Sequence, residues 1–550
     1  MENPSLQDVP RPLTRRRFLH LLGQGALVAA LPVPLRADGS GAVTISLLHT
    51  TDLHGHILPT TDYHARPNLG GLARCASQIR AWRAENPNSL LLDVGDVYQG
   101  TAVSLASRGV LMIRCFDALG YDAWVVGNHE FDWGADAFAA AVAASPMPVL
   151  SGNARLSGPA LSRIRPWLMK EIAGIRLAIV GLTTPALTTW LPPENLRDYE
   201  ALDPVESLRR ILGDVATQKP DAIVLAGHMG LKRRDDFANR VGELTRDFPQ
   251  LAVCLGGHTH EDWPGDYIHD VLYTQADHYG IHVGKVDLTF DRATHRLVHR
   301  EATTALMDGN VPFDPQVMAL AQPDLAASDR ELAREIGVLT EPFHASTILG
   351  RPGEQERLIA SAMLAALRKQ GANADVVIHG LFEKRVLEPG AKTVADMWRI
   401  LPYENQVVTF DVSGADFPAL AQEIAGASDL RQIMGLRVDA APSGKEWRVT
   451  DLRQADGAPL SPQKTYRIAV NSHDSQSAGG RLPVLAQMVA AANARRVLHP
   501  VETRDAAIDF FTTRGKVGAA DLLFAASPGN LPDVPPPPSP APVSGQGRDD

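Results

Sequence analysis

Cysteine is scarce in this sequence: its 550 residues include three, Cys75, Cys115 and Cys254. Three thiols cannot staple a fold, so a disulfide framework is excluded in any redox compartment and stability has to come from a buried core. Cys75 and Cys254 stand among apolar or small residues and read as buried free thiols. Long apolar runs are missing too. The one candidate, Leu21 to Leu35, is broken by Gly23 and Gly25 and is too short and too weakly apolar to span a bilayer. No integral membrane span is therefore expected in the mature chain. Positive charge is in deficit. The formal net charge is -10, and beyond the first 37 residues 48 basic residues face 61 acidic ones, a charge of -13. Such a surface repels polyanions, which argues against a nucleic-acid polymer as partner. A small phosphate ester can still bind where local cations reverse the field.

What is present is ordinary globular composition, 45% apolar and 21% charged, at a length that suits two domains with appendages. The first appendage opens with Thr14-Arg15-Arg16-Arg17-Phe18-Leu19 ahead of the weak apolar run. It resembles a twin-arginine signal, so 1–37 reads as an address for the twin-arginine export machinery, with a periplasmic or secreted destination. Ala37 is the candidate last residue of the signal. The other appendage, 526–550, contains Pro535-Pro536-Pro537-Pro538 among Ser, Gly and Asp and cannot bury a core, so it reads as a disordered tail.

Between the ends, β-branched-rich runs of strand length alternate with helical patterns, the signature of an α/β (α+β layered) fold. The runs include Val43 to Leu48, Leu90 to Val94, Trp124 to Val126, Leu177 to Gly181, Ala222 to Ala226 and Leu251 to Leu255. A helix fits Gly71 to Glu85, where Leu72, Cys75, Ile79 and Trp82 recur at helical spacing. Residues able to bind metal stand just past the strands: Asp52-Leu53-His54, Gly95-Asp96, Gly127-Asn128-His129-Glu130, Gly227-His228 and Gly257-His258-Thr259-His260. Ligands bind beyond the strand ends of open α/β sheets, and glycine permits a turn that points the next side chain back into that crevice. One Gly-Asp or Gly-His is usually a turn. Five in succession, each at a strand end, are hard to attribute to chance.

The order Asp-x-His, Gly-Asp, Gly-Asn-His-Glu, Gly-His, Gly-His-x-His resembles the calcineurin-like metallophosphoesterases. Leu48-His49-Thr50-Thr51-Asp52-Leu53-His54-Gly55-His56, Gly70-Gly71-Leu72-Ala73-Arg74 and Gly127-Asn128-His129-Glu130-Phe131-Asp132 resemble that family's bacterial 5'-nucleotidase branch, which includes 2',3'-cyclic phosphodiesterases. The resemblance implies an N-terminal βαβ sandwich over 42–300 and a smaller C-terminal α/β substrate domain over 346–525. Between them, 301–345 reads as a linker with a helix around Asp329 to Ile336. The implied cofactors are two divalent metal ions, Mn, Zn, Fe or Co. Two metals about 3.5–4 Å apart supply what ester hydrolysis needs, a bridging hydroxide as nucleophile and Lewis-acid contacts to the phosphoryl oxygens. Carried over residue by residue, one metal takes Asp52, His54 and His260, the other takes Asn128, His228 and His258, and Asp96 bridges them. His129 matches a family imidazole that stabilises the phosphoryl charge and protonates the leaving oxygen. Asp132 matches the carboxylate that orients that imidazole and raises its pKa. His49 reads as core and His56 as an outer neighbour, whereas His64, His278 and the stretch His295 to His299 read as surface.

The second domain matches more faintly. Arg351 to Leu364 resembles its opening helix, Leu401-Pro402-Tyr403-Glu404-Asn405 a family loop, and Tyr466 to Asn471 a strand before a glycine turn. An Asn-Gly-Gly-x-x-Arg-like loop is replaced by His379-Gly380-Leu381-Phe382-Glu383-Lys384 with Arg385 one position late. The base-stacking loop is replaced by Gly479-Gly480-Arg481-Leu482-Pro483. The candidate substrate contacts are Phe382, Lys384, Arg385, Tyr403 and Arg481. The reaction expected is metal-dependent phosphoric monoester hydrolysis with a small ester, a nucleotide first, as substrate. The alternatives are a phosphatase or phosphodiesterase of a non-nucleotide ester, a thiosulfohydrolase of the sulfur-oxidation type, and a catalytically silent binding protein.

Overall fold

A computed structural model describes residues 41–524 apart from 383, 428–430 and 445. The signal expected over 1–37 and the tail expected over 526–550 lie outside the described residues. The six apolar runs form the strands Ala42–Thr50, Ser89–Asp93, Ala123–Val125, Ile175–Thr183, Ala222–His228 and Val253–Gly256. The first three run parallel as neighbours in a seven-stranded sheet. The last three do the same in a six-stranded sheet. Period-two alternation places the two faces. Val43, Ile45 and Leu47 point between the sheets, where they meet Leu177, Ile179, Val224 and Leu255. Leu48 points the other way, into a core it shares with Leu72, Ile79 and Phe116. Each such side chain contributes about 1.5–3 kcal/mol on burial. The result is the expected βαβ sandwich.

The helix expected from Gly71 spans Leu72–Glu85, and Leu72, Cys75, Ala76, Ile79 and Trp82 form its buried face. All three cysteines are free and buried, and burial pushes each thiol up to about 12. In the region read as a linker, the helix lies earlier than expected. It spans Pro315–Leu332 because Asp314 accepts from the Gln316 and Val317 N–H groups and Pro315 occupies the first turn. Glu335–Leu339, whose first two residues were expected to be helical, is a strand between Gly390–Thr393 and Lys516–Val517. Its partners lie far along the chain, so local pattern could not reveal it.

The second domain is built on a five-stranded sheet in the order Arg431–Met434, Val376–Gly380, Thr465–Asn471, Gln406–Ser413, Val497–Glu502. One face packs under the helices Glu354–Lys369 and Thr503–Arg514, the first of these being the expected opening helix. The other face packs under Phe417–Gly426 and the hairpin Leu436–Ser443/Glu446–Gln454. Among the described residues no helix is long and apolar enough to cross a membrane.

Candidate metal centre

The seven expected ligands meet at the C-terminal ends of the parallel strands. Asp52 and His54 follow the strand ending at Thr50, Asp96 the one ending at Asp93, and Asn128 the one ending at Val125. His228 ends its own strand, and His258 and His260 follow Gly256. Five of them occupy the left-handed backbone region: Asp52 (φ 50°), His54 (47°), Asp96 (56°), His258 (73°) and His260 (53°). Each such residue costs on the order of 1 kcal/mol or more, so the surroundings must hold it. Backbone bonds between loops do so: Asp52 N–H donates to the Gly95 carbonyl, and His54 N–H to that of Asp96, both at 2.9 Å.

The glycines before the ligands divide by cause. Gly95, at φ 103°, fits the turn argument. Gly127 and Gly257 lie outside the left-handed region and are needed for space. A Cβ on Gly127 would overlap the Asp96 carboxylate, and one on Gly257 would strike the Thr51 hydroxyl. Gly227 has room for a methyl group, its nearest neighbour being Met229 at 3.6 Å.

Two clusters result. Asp52, His54 and His260 form one, Asp96, His228 and His258 the other, and within each the candidate ligand atoms lie within 4.8 Å of one another. Asn128 Oδ1 is 3.2 Å from His228 Nε2, which places it with the second. Asp96 faces both, its Oδ2 lying 3.0 Å from His228 Nε2 and 3.8 Å from His54 Nε2.

The donor chemistry fits cations. His54 Nδ1 lies 3.0 Å from the Gln99 carbonyl and His228 Nδ1 lies 2.8 Å from that of Val94, so each Nδ1 carries the hydrogen and donates it. The Nε2 lone pairs are left pointing inward. That of His228 meets Asp96 Oδ2 and Asn128 Oδ1, an arrangement of acceptors that needs a proton or a metal. Burial opposes charge on His228, yet the adjacent Asp96 carboxylate outweighs it and lifts the imidazole to about 9. Burial holds His54 well below the usual imidazole value and lowers His258 to about 3. Burial alone would also raise Asp96 and Asp52. The surrounding imidazoles, His228 first for Asp96 and His260 first for Asp52, bring both below the usual carboxylate range.

At the mouth, His129 Nδ1 is 2.7 Å from Asp132 Oδ2, while the His129 N–H donates to Asp96 Oδ1 at 2.8 Å. Burial raises the Asp132 pKa. Glu130, the last residue of the Gly-Asn-His-Glu motif, accepts from the Gly127, Val97 and Asp96 N–H groups at 2.6, 2.7 and 3.0 Å. It thereby ties two ligand loops together. Burial and the Asp96 charge push it up to about 7.

Of the expected substrate contacts, Phe382, Lys384 and Arg385 line one open pocket of about 600 Å³ with Trp398, Arg399 and Pro402. Tyr403 packs edge-on against Phe382, ring centroids 5.4 Å apart. Arg481 is not among the lining residues. It donates to the Ala478 carbonyl in the loop whose Gly479 packs against Trp190. His49 is buried core as expected, and His64, His295 and His299 are exposed. His278, expected at the surface, is instead 3% exposed: the Asp277 carboxylate holds its Nδ1, and its ring lies parallel to His260, centroids 4.8 Å apart. Tyr63 lies over the same face of the cluster, with its hydroxyl 2.7 Å from His260 Nδ1. Neither Tyr63 nor Gln99 carries a sequence signal, because each acts from a loop distant from the ligand it supports. Glu130 could have been found from its place in the motif.

Residues 45–262 match the family model for calcineurin-like phosphoesterase, and 335–487 the model for the 5'-nucleotidase C-terminal domain. The silent protein UshA(0) of Salmonella typhimurium is 26% identical over 515 residues, covering 85% of this chain and 91% of that protein. The snake venom 5'-nucleotidase of Gloydius brevicauda is 26% identical over 85% of this chain and 86% of its own length. Among solved structures, the 5'-nucleotidase precursor of Thermus thermophilus superposes with a TM-score of 0.63 at 25% identity, covering 86% of this chain and 97% of that one.

Proposed function

Because the chain belongs to the calcineurin-like phosphoesterases with a 5'-nucleotidase C-terminal domain and is a phosphoester hydrolase of that type, we propose that it is an exported, two-metal phosphoric monoester hydrolase whose first substrates are nucleotides. The observation that carries this reading is the pair of donor clusters facing a shared Asp96 Oδ2. Asp52, His54 and His260 would hold one ion, Asn128, His228 and His258 the other, and Asp96 both. The ions, Mn, Zn, Fe or Co by the mixed oxygen and nitrogen donors, would supply Lewis acidity and lower the pKa of water.

The chain's own residues then manage charge and protons. With Asp132 accepting from His129 Nδ1–H, Nε2 is the nitrogen of that ring that would act on the ester. As the P–O bond to the leaving group breaks, His129 Nε2–H stabilises the charge on the departing oxygen and gives it the proton. Phe382, Lys384, Arg385 and Tyr403 would bind the leaving group, the cations meeting polar groups and the aromatics a planar ring. Arg481 keeps a place among the candidates through its glycine loop. The arginines Arg15 to Arg17 support twin-arginine export.

The test is a hydrolysis panel with added Mn, Zn, Fe or Co. It contains nucleoside monophosphates, cyclic nucleotides, nucleotide sugars, p-nitrophenyl phosphate and its bis-ester. Preferred turnover of nucleoside monophosphates is expected. Turnover of the nitrophenyl ester alone would remove the nucleotide assignment, and no turnover with any metal would leave a binding protein.

A further inference from the structure

Glu404 stands in the second-domain loop between the helix Val394–Ile400 and the strand Gln406–Ser413, yet its side chain reaches into the first domain. It is 6% exposed. One carboxylate oxygen, Oε1, accepts from Arg504 Nη2 at 2.6 Å, and Arg504 also donates to the Leu401 and Pro402 carbonyls. The other, Oε2, accepts from Gln99 Nε2 at 3.0 Å and from the Trp133 indole N–H at 3.2 Å. Both donors belong to ligand-bearing loops. Gln99 is three residues past Asp96, and its main-chain carbonyl holds His54 Nδ1. Trp133 adjoins Asp132, and its ring stacks on Tyr98, whose hydroxyl donates to the Glu130 carbonyl.

We propose that Glu404 is a cross-domain positioning residue that clamps the Asp96–Gln99 and His129–Trp133 loops, so that the first metal cluster and the His129 pair reach full order when the second domain is docked on them. The proposal rests on the two-metal reading for its catalytic consequence, but not for its structural one. Arg504 neutralises the carboxylate and fixes its direction. A charge-assisted acceptor of this kind holds two donors at once, and outer partners of metal-binding imidazoles set their aim. Metal affinity is thereby linked to domain docking.

The experiment compares the full-length chain with Glu404→Ala, Glu404→Gln, Gln99→Met and Trp133→Phe. Three quantities are measured: backbone amide exchange over 96–101 and 128–134, manganese binding by the metal-free protein, and kcat and KM separately. Gln99→Met leaves the Arg504–Glu404 pair intact and keeps the main-chain carbonyl, so it remains readable if Glu404→Ala fails to fold. Expected results are faster exchange in both loops and weaker manganese binding, about 10-fold for Gln99→Met and up to about 100-fold for Glu404→Ala. The catalytic loss should fall on kcat. Glu404→Gln, which keeps a carbonyl acceptor, should recover part of the loss, and Glu404→Ala with Gln99→Met should be less than additive. Unchanged exchange and manganese binding in both Gln99→Met and Trp133→Phe would overturn the proposal. A wild-type protein that hydrolyses no ester would overturn the functional reading instead, while exchange and metal binding still judge the clamp.

Discussion

The two ligand clusters use similar atoms but are supported differently. In the second cluster, His228 ends a strand and its Nδ1 donates to Val94, a fully buried residue at the end of the neighbouring sheet's strand. Its support is the sandwich itself. In the first cluster, His260 Nδ1 meets the hydroxyl of Tyr63, a residue 43% exposed, and His54 Nδ1 meets Gln99, whose side chain is held from the other domain. One site is anchored in the core and the other in loops. The difference teaches that two candidate metal sites sharing one crevice can draw their support from different sources, one from the strands of the sandwich and the other from loops.

The strongest way to break the comparison is to remove what the clusters share. Asp96→Asn should lose at least one ion and more than about 10⁴-fold in activity, because under the proposed reading the ions would be what activates the water. Elemental analysis that finds both ions retained would contradict the shared role. Next comes the chemistry without the metals. His129→Ala should keep both ions, since its neighbour Asn128 is the candidate ligand, and should lose about 10²–10⁴-fold on esters with poor leaving groups. The loss should shrink for p-nitrophenyl phosphate, whose leaving group needs no proton. An equal loss across leaving groups would leave the ring a purely electrostatic role, and metal depletion would make it structural.

A sharper probe separates the clusters. Tyr63→Phe deletes one hydroxyl beside His260 and should weaken one of two manganese binding steps by about 10-fold while leaving the other in place. Equal weakening of both steps would show that the clusters are not independently supported. The smallest expected effects compare two glycines. Gly95→Ala puts a methyl group against His228 Nδ1 from a left-handed backbone, and should destabilise the protein by about 1 kcal/mol or more and impair the second site. Gly227→Ala meets no such obstacle and should change the unfolding free energy by less than about 1 kcal/mol. Denaturant melts of the two variants decide it.

The sequence by itself determined the sandwich and the candidate ligands. Apolar runs are local, so the strands that include Leu48, Leu92, Trp124, Gly181, Ala226 and Leu255 could be read directly, and the residues just past them followed from parallel strand ends sharing one edge. The helix from Gly71 followed for the same reason. Tertiary structure alone decided what surrounds those ligands. The burial of His278, the reach of Tyr63 to His260 and the grip of Glu404 on Gln99 and Trp133 join positions 18 to 305 residues apart. It also decided that Glu335–Leu339 is a strand and that Arg481 donates to the Ala478 carbonyl of its own loop. The physical reason is common to all of them. A ligand's type and turn are fixed by its neighbours in sequence, whereas its aim and its proton are fixed by whichever hydrogen-bond partner the folded chain brings to its other nitrogen.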